Sequence, residues 1–406
     1  MIYRPVSPHE IPIVADIQAR AFRFPAERYL EAYNGHGRVD YGALRLLEQD
    51  QGQAVAALNI FRRPVSLLGG ELDAGLVAGV AVPPEERRRG YARQLMAGLL
   101  EELHAQETPL SLLFPFSVGF YRTLGYGLAN FTWFMELTPH LLADYAERLH
   151  VRRAGPEDEA AIRACHDRAR RLPHNNGWPS RGDWEWHNKV AKPEHEKALF
   201  VVDGQVEGYL VYTLAWSTEE TPAKVVEWVW TTDRAWRGLA GFLAALGEQV
   251  TTLIVNAPQG SPLLWSLAEP YQRGQGPAAE FTFYPAARLV NGFMLRVVHL
   301  PAALAGRRYP AGVEAEFVVQ VEDRQLPANG RPLHVRIANG EARVTSSAAS
   351  PQVRCAMDVW SQLYAGAMTA EQARTVGALE GDDAICAALT AAFAAAPWGM
   401  LQADWF

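Results

Sequence analysis

The run Val80-Ala81-Val82-Pro83-Pro84-Glu85-Glu86-Arg87-Arg88-Arg89-Gly90-Tyr91-Ala92 decides how the rest of this chain is read. It opens on the end of an apolar stretch, residues 76–82, with the composition of a buried strand. Pro83-Pro84 stops that strand, because proline brings no N–H to a ladder. Past Gly90 the apolar residues fall at Ala92, Leu95, Met96, Leu99, Leu100 and Leu103, one face of a helix. Strand end, glycine and helix start together suit an anion. The glycine admits a close backbone approach, the first helical turn offers free N–H groups and positive dipole, and Arg87, Arg88 and Arg89 add charge-assisted bonds. A solvated basic turn before an ordinary helix is the plainer alternative, and the strand on one side with the apolar helix on the other favours the ligand site.

Outward from this run, residues 44–60 read as a hairpin turning at Gly52. LSLLFPF at 110–116 reads as a further strand, and Ser117 stands as the N-cap of a short helix. The programme then repeats. LFVVDGQVEGYLVY turns at Asp203-Gly204, a strand follows at 225–232, and Arg237-Gly238-Leu239-Ala240 opens a helix as Arg89-Gly90-Tyr91-Ala92 does. From turn glycine to helix glycine the two copies run Gly52 to Gly90 and Gly204 to Gly238, the spacing of a duplicated α/β unit. The last stretch differs: FVVQVED, LHVRI and ARVTS read as strands, Asn339-Gly340 as a hairpin turn, and AICAALTAAFAAA as a helix, an α+β pattern. The expected domains are 1–145, 146–288 and 289–406.

The 406 residues are 49% apolar and 20% charged, enough for ordinary cores, and they exclude a disordered or fibrous chain. A net charge of -7 with a single short basic run argues against a nucleic-acid partner. No apolar window reaches membrane length and the start carries no signal-peptide pattern, so a soluble, cytoplasmic protein is expected. Cys165, Cys355 and Cys386 are too dispersed for a disulfide framework, and Cys165-His166 lacks a second ligand pair, so no metal is expected.

This stretch resembles the coenzyme A pyrophosphate loop of the GNAT acyltransferase superfamily, whose pattern is met by Arg87, Gly90 and Ala92. Two such copies, an α+β tail and a final aromatic residue are similar, over essentially the full length, to the enhanced intracellular survival (Eis) family of acetyltransferases, whose C-terminal domain resembles sterol carrier proteins. The resemblance implies acetyl-CoA as co-substrate. Backbone groups of Val80, Ala81 and Val82 would hold the pantetheine arm, while Arg87, Arg88, Arg89, Gly90, Tyr91, Ala92 and Arg93, with Ser117, would bind the rest of the cofactor. The family's second motif stands as Ser117-Val118-Gly119-Phe120-Tyr121-Arg122-Thr123-Leu124-Gly125-Tyr126-Gly127. It puts Tyr121 at the general acid, with Tyr126 as the other candidate.

By the same resemblance the base is the α-carboxylate of Phe406, delivered by the C-terminal domain, with Asp404 as a nearby alternative carboxylate. Acetyl transfer then proceeds directly in a ternary complex to an amine: aminoglycoside-like, a polyamine, or a peptide lysine. Phe22, Phe24 and Tyr33, in the segment 21–37, would line the acceptor pocket. Arg23 and Trp405 stand where acidic residues would suit a polycation, which tells against broad aminoglycoside use, although Glu27, Glu31 or Asp404 could compensate. The second copy has Asp233 and Trp236 in its loop and reads as structural. His174 and His187 fall in an aromatic-rich stretch that reads as packing. The family implies a homo-oligomer, a hexamer built from trimers. The competing reading is a non-catalytic acyl-CoA sensor or lipid-binding protein.

Overall fold

Three mixed sheets with helices packed on them make up the chain, the α+β architecture expected from the sequence. The computed structural model describes all residues except 35–42, 51, 216–219 and 268–286. It divides into one unit of residues 1–129, 293–395 and 406, and a second of residues 130–292 and 396–405.

In the first unit, strands β1 (Ile2–Pro5), β2 (Leu44–Glu48), β3 (Ala54–Leu67), β4 (Gly70–Ala81), β5 (Leu110–Leu113) and β6 (Gly127–Leu128) build a sheet. It is antiparallel apart from β4 and β5, which run parallel. Helices α1 (Ile11–Phe22) and α2 (Ala26–Asn34) cover one patch of apolar side chains, with Val14 and Ile17 against Leu44 and Leu46. Helix α3 (Tyr91–Ala105) covers another: Leu95, Met96, Leu99, Leu100 and Leu103 are all buried, as their spacing predicts. Five such side chains contribute roughly 1.5 to 3 kcal/mol each by leaving water, which holds the helix start against the sheet. The short helix α4 (Val118–Arg122) begins as expected, Ser117 Oγ accepting from the Phe120 amide at 3.3 Å.

The second unit carries β7 (Phe131–Leu137), β8 (Val151–Arg153), β9 (Glu196–Val202), β10 (Gln205–Leu214), β11 (Pro222–Trp230), β12 (Thr252–Pro258) and β13 (Arg288–Asn291), with α5 (Glu159–Arg170), the turn α6 (Asp183–Glu185) and α7 (Asp233–Ala245). The hairpin at Asp203-Gly204 forms between β9 and β10 as its turn residues require. The helix does not open at Gly238. Thr232 caps it, its Oγ accepting from Ala235 N at 3.2 Å, and helical residues begin at Asp233. Gly238 is therefore mid-helix, and it is small for packing: a Cβ there would lie 2.3 Å from the Phe200 ring. Its match to Gly90 is one of composition and not of position.

Strand placement also departs from the linear order. β7 leaves β6 and pairs beside β12, Leu253 opposite Leu137, whereas β14 (Met294–Val297) enters the first sheet between β5 and β6. The first copy is therefore completed by a strand from beyond the run of sequence that forms the rest of it, whereas the second is built from the continuous run 130–292. In the first unit a third sheet follows, of β15 (Ala315–Glu322), β16 (Leu333–Ala338), β17 (Glu341–Ser346), β18 (Val353–Ala356) and β19 (Leu379–Glu380). Its helices are α8 (Leu300–Gly306), α9 (Met357–Tyr364), α10 (Ala370–Thr375) and α11 (Asp383–Phe393). The buried Arg307 guanidinium lies 5.0 and 5.1 Å from the Tyr364 and Phe393 rings.

Candidate active site

The parallel pairing of β4 with β5 runs from Ala74 opposite Leu110 to Val77 opposite Leu113 and then ends. β5 stops there, short of the run to residue 116 that its apolar sequence suggests, while β4 continues to Ala81 paired only with β3. Beyond Val77 the edge of β4 is therefore open on the β5 side, and Val80, Ala81 and Val82 lie on or just past it. A bulge shapes this edge. The register shifts opposite Asn59, Gly79 takes φ +59°, and its carbonyl accepts from the buried Gln18 Nε2 at 3.0 Å. Gln18 Nε2 also donates to Asn59 Oδ1 at 3.0 Å. Sequence reading missed this support, and an amide on the apolar face of α1 was its one signal.

The chain then turns through residues 84–86 into Arg87, Arg88, Arg89 and Gly90, all four exposed. Gly90 caps α3 at φ +81°, a left-handed conformation that favours glycine. The first intrahelical bond, Gln94 N to Gly90 O at 3.1 Å, leaves the N–H groups of Tyr91, Ala92 and Arg93 without helical acceptors. Arg87 is turned back, donating to the carbonyls of Val82 at 3.3 Å and Ala21 at 3.1 Å. Arg89 pairs with Glu86 at 2.9 Å, and Arg93 donates to Thr123 Oγ1 at 2.9 Å. Arg88, at φ +63°, has no side-chain partner among the described residues. Tyr91 accepts from Gln49 Nε2 at 3.1 Å through its hydroxyl. The loop thus offers an open strand edge, a helix start and an unengaged guanidinium on one short path, and these residues fit a pyrophosphate ligand.

The two candidate tyrosines are distinguished by their hydroxyls. Tyr126 is fully buried and its hydroxyl shares a 2.7 Å hydrogen bond with Ser111 Oγ; burial pushes its pKa up to about 12. Tyr121 is buried among rings, edge-on to Phe116 at 5.4 Å, Phe120 at 5.0 Å and Tyr126 at 5.8 Å. Its hydroxyl makes no hydrogen bond to any described residue. Burial holds its pKa well above the ordinary tyrosine value, so the proton stays on through the neutral range. Phe116, on the segment after β5, is 72% exposed beside it. The Phe406 ring packs on Phe114 of the same segment, centroids 5.6 Å apart.

The three acceptor candidates separate. Phe22 and Phe24 are exposed at the end of α1, with Arg28 over the Phe24 ring at 4.4 Å, and neither touches the Tyr121 ring. Tyr33 is buried, its hydroxyl bonded to Gln18 and Asn59, so it supports the bulge and does not line an open wall. Residues 35–37 of that segment lie outside the described residues. No group of three or more His, Cys, Asp or Glu suited to a metal occurs among the described residues, and none of their helices is long and apolar enough to cross a membrane.

Residues 2–129 match the model of an acetyltransferase (GNAT) domain, residues 177–297 match a second acetyltransferase (GNAT) domain, and residues 300–399 match a sterol carrier protein domain. Over 334 residues the chain is 27% identical to N-acetyltransferase Eis of Mycobacterium tuberculosis, covering 78% of this chain and 76% of that protein. Among solved structures, it is similar to a GCN5-related N-acetyltransferase from Anabaena variabilis, with TM-score 0.86, 21% identity, and coverage of 98% and 99% of the two chains. A GCN5-related N-acetyltransferase from Kribbella flavida superposes with TM-score 0.80 at 24% identity, all of both chains covered. Eis1 from Mycobacterium abscessus does so with TM-score 0.78 at 20% identity over 98% of each.

Proposed function

Because the chain is an Eis-like N-acetyltransferase, with two GNAT domains followed by a sterol-carrier-type domain and distant homology to Eis over most of its length, we propose that its first copy moves an acetyl group directly to an amine of a small molecule or peptide. GNAT domains imply an acyl-CoA donor, which supplies an activated thioester. The open edge at residues 80–82 would take its amide-bearing arm, and Arg88, Arg93 and the N–H groups of residues 91–93 its phosphates. Transfer forms a C–N bond and breaks a C–S bond, so the amine must lose a proton and the departing thiolate must gain one.

The observation that carries the proposal is the Tyr121 hydroxyl, set on a ring buried among rings and without a hydrogen-bond partner among the described residues, while its neighbour Tyr126 is engaged with Ser111. Tyr121 holds a proton at Oη and donates it to the thiolate. For the base, the resemblance assigns the α-carboxylate of Phe406. Its support is the tilted packing of the Phe406 ring on Phe114, two residues before the Phe116 that packs on Tyr121. Exposed Phe22 and Phe24 are offered as acceptor walls, and the acceptor class is an amine: aminoglycoside-like, polyamine or peptide lysine.

The test is release of free coenzyme A from acetyl-CoA in the presence of aminoglycosides, polyamines, amino acids and lysine peptides. Release that depends on an amine and falls about 100-fold in Tyr121→Phe is expected. Acetyl-CoA binding without amine-dependent release from any of these would favour the sensor reading instead. Extending the chain past Phe406 by a Gly-Ser pair is expected to abolish release while leaving acetyl-CoA affinity intact.

A further inference from the structure

The second copy contains the same opening as the first, and the chain's own segment 396–405 walls it. β11 and β12 pair in parallel only from Pro222 opposite Thr252 to Val225 opposite Val255, and then part, as β4 and β5 do beyond Val77. Where the first copy presents an open strand edge to a ligand, this cleft is lined by Trp228 and Trp230 of β11, Asn256 and Pro258 of β12, and Met400 and Leu401 of the segment 396–405. The segment is held by Asn176, on the loop between α5 and α6. Asn176 donates through Nδ2 to the Ala396 carbonyl at 2.8 Å and accepts through its own carbonyl from the Gly399 amide at 2.9 Å, a one-rung parallel bridge beside a fully buried Trp398.

The helix start under this cleft has lost its anion chemistry. Asp233 occupies the first turn of α7, where a carboxylate suits the helix dipole and repels a phosphate. Trp236 stacks flat on Trp228, centroids 5.6 Å apart and planes 8° from parallel, filling space with indole.

One interaction keys the segment by charge. Arg181, with 1% of its side chain exposed, donates from Nε to Asp404 Oδ1 and from Nη2 to Glu227 Oε1, each at 2.5 Å, and both carboxylates are fully buried. Tyr209 donates to the other Glu227 oxygen at 2.9 Å. Glu227 and Tyr209 are fixed on β11 and β10, so the guanidinium is held from the sheet side and its free edge selects an acidic residue on the incoming segment. Two residues beyond Asp404 stands Phe406, whose ring lies on Phe114.

We infer that the cleft of the second copy is a docking site for the chain's own residues 396–404, a segment that closes in a tight turn at Gln402–Asp404 and is recognised by its acidic side chain, and that Arg181 is a positioning residue acting on Phe406 through it. The positioning half rests on the proposed function. The docking half does not.

The test uses the full chain and reads the two halves separately. Hydrogen exchange at the amides of Gly399 and Asp404 reports docking, while kcat and acetyl-CoA affinity report positioning. Asp404→Asn is expected to speed that exchange at least tenfold and lower kcat at least tenfold, with acetyl-CoA affinity changed less than about twofold. Arg181→Lys, which keeps the charge, is expected to retain part of both. If Arg181→Met fails to fold, Asp404→Asn still decides. Unchanged exchange in Asp404→Asn overturns the docking. Faster exchange with unchanged kcat overturns the positioning. A lower kcat with unchanged exchange makes Asp404 a chemical group and overturns both. Calorimetry is expected to find one acetyl-CoA per chain, and a second equivalent bound overturns the docking. Should the unaltered protein release no coenzyme A with any amine, the proposed function and the positioning fall together, and exchange alone still judges the docking.

Discussion

Tyr121 and Tyr126 sit five residues apart with rings in edge contact, and what separates them is a single hydrogen bond. Tyr126→Phe leaves Ser111 without its partner and is expected to cost about 1 kcal/mol of stability with kcat changed less than about threefold. Tyr121→Phe should do the reverse, losing turnover and keeping stability; urea denaturation and steady-state rates on both variants check the pair. The pH profile follows from the same burial. An acid must carry its proton to act, and Tyr121's is held above the ordinary value, so the rate should rise as the amine deprotonates and hold its plateau to about pH 10. An earlier alkaline fall abolished by Tyr121→Phe would contradict this.

At the scale of elements, the helix starts differ in what their first turns hold. Gly90 at φ +81° has open space around it, so Gly90→Ala meets no clash but is forced into a left-handed conformation at a cost of about 1 kcal/mol. Under the proposed function, a methyl at Gly90 is expected to weaken acetyl-CoA binding about tenfold, read by calorimetry. The start of α5 answers to pH instead. Asp158 accepts from Arg152 through two bonds of 2.7 Å and from the Gly155 amide at 2.8 Å, and these hold its pKa down at about 2. A lowered carboxylate pKa contributes stability above the unfolded value, near 4, which is lost as pH falls through the folded one. Thermal midpoints are therefore expected to drop between about pH 4 and 2, and less steeply in Asp158→Asn.

In the first unit as a whole, one buried ion pair ties the first sheet to the residues around the third. Arg296 on β14 meets both oxygens of Asp323 at 2.8 Å, with neither side chain more than 1% exposed, and also donates to the Leu124 carbonyl in the motif that holds Tyr121. Asp323 is further held by Asn329 Nδ2 at 2.9 Å and the Leu326 amide at 3.0 Å. Arg296→Met leaves that carboxylate buried without its cation and is expected to cost about 3 to 5 kcal/mol in urea denaturation. Arg296→Met with Asp323→Leu should recover part of the loss, because an apolar pair needs no counter-charge.

Much of this was legible in the sequence because it depends on neighbours along the chain. The apolar face of α3, the turns at Asp203-Gly204 and Asn339-Gly340, the Ser117 cap and the glycine opening α3 follow from periodicity and local backbone preference, and the structure has each of them. The mid-helix place of Gly238 was hidden, since the same residue type serves a left-handed cap in one copy and close packing on Phe200 in the other. So was the exchange of β7 and β14, because an apolar strand pattern states that a strand is buried and not which sheet buries it. Tyr33 looked like an open aromatic wall until its hydroxyl was found with Gln18 and Asn59. By itself the sequence determined the kinds of element, the glycine-led, arginine-rich start of α3 and the acetyltransferase reading. Tertiary structure alone decided which tyrosine hydroxyl stays unengaged, where Arg181 and Asp404 meet and what walls the second cleft, because each is a contact between residues far apart in the chain whose partner choice no local pattern encodes.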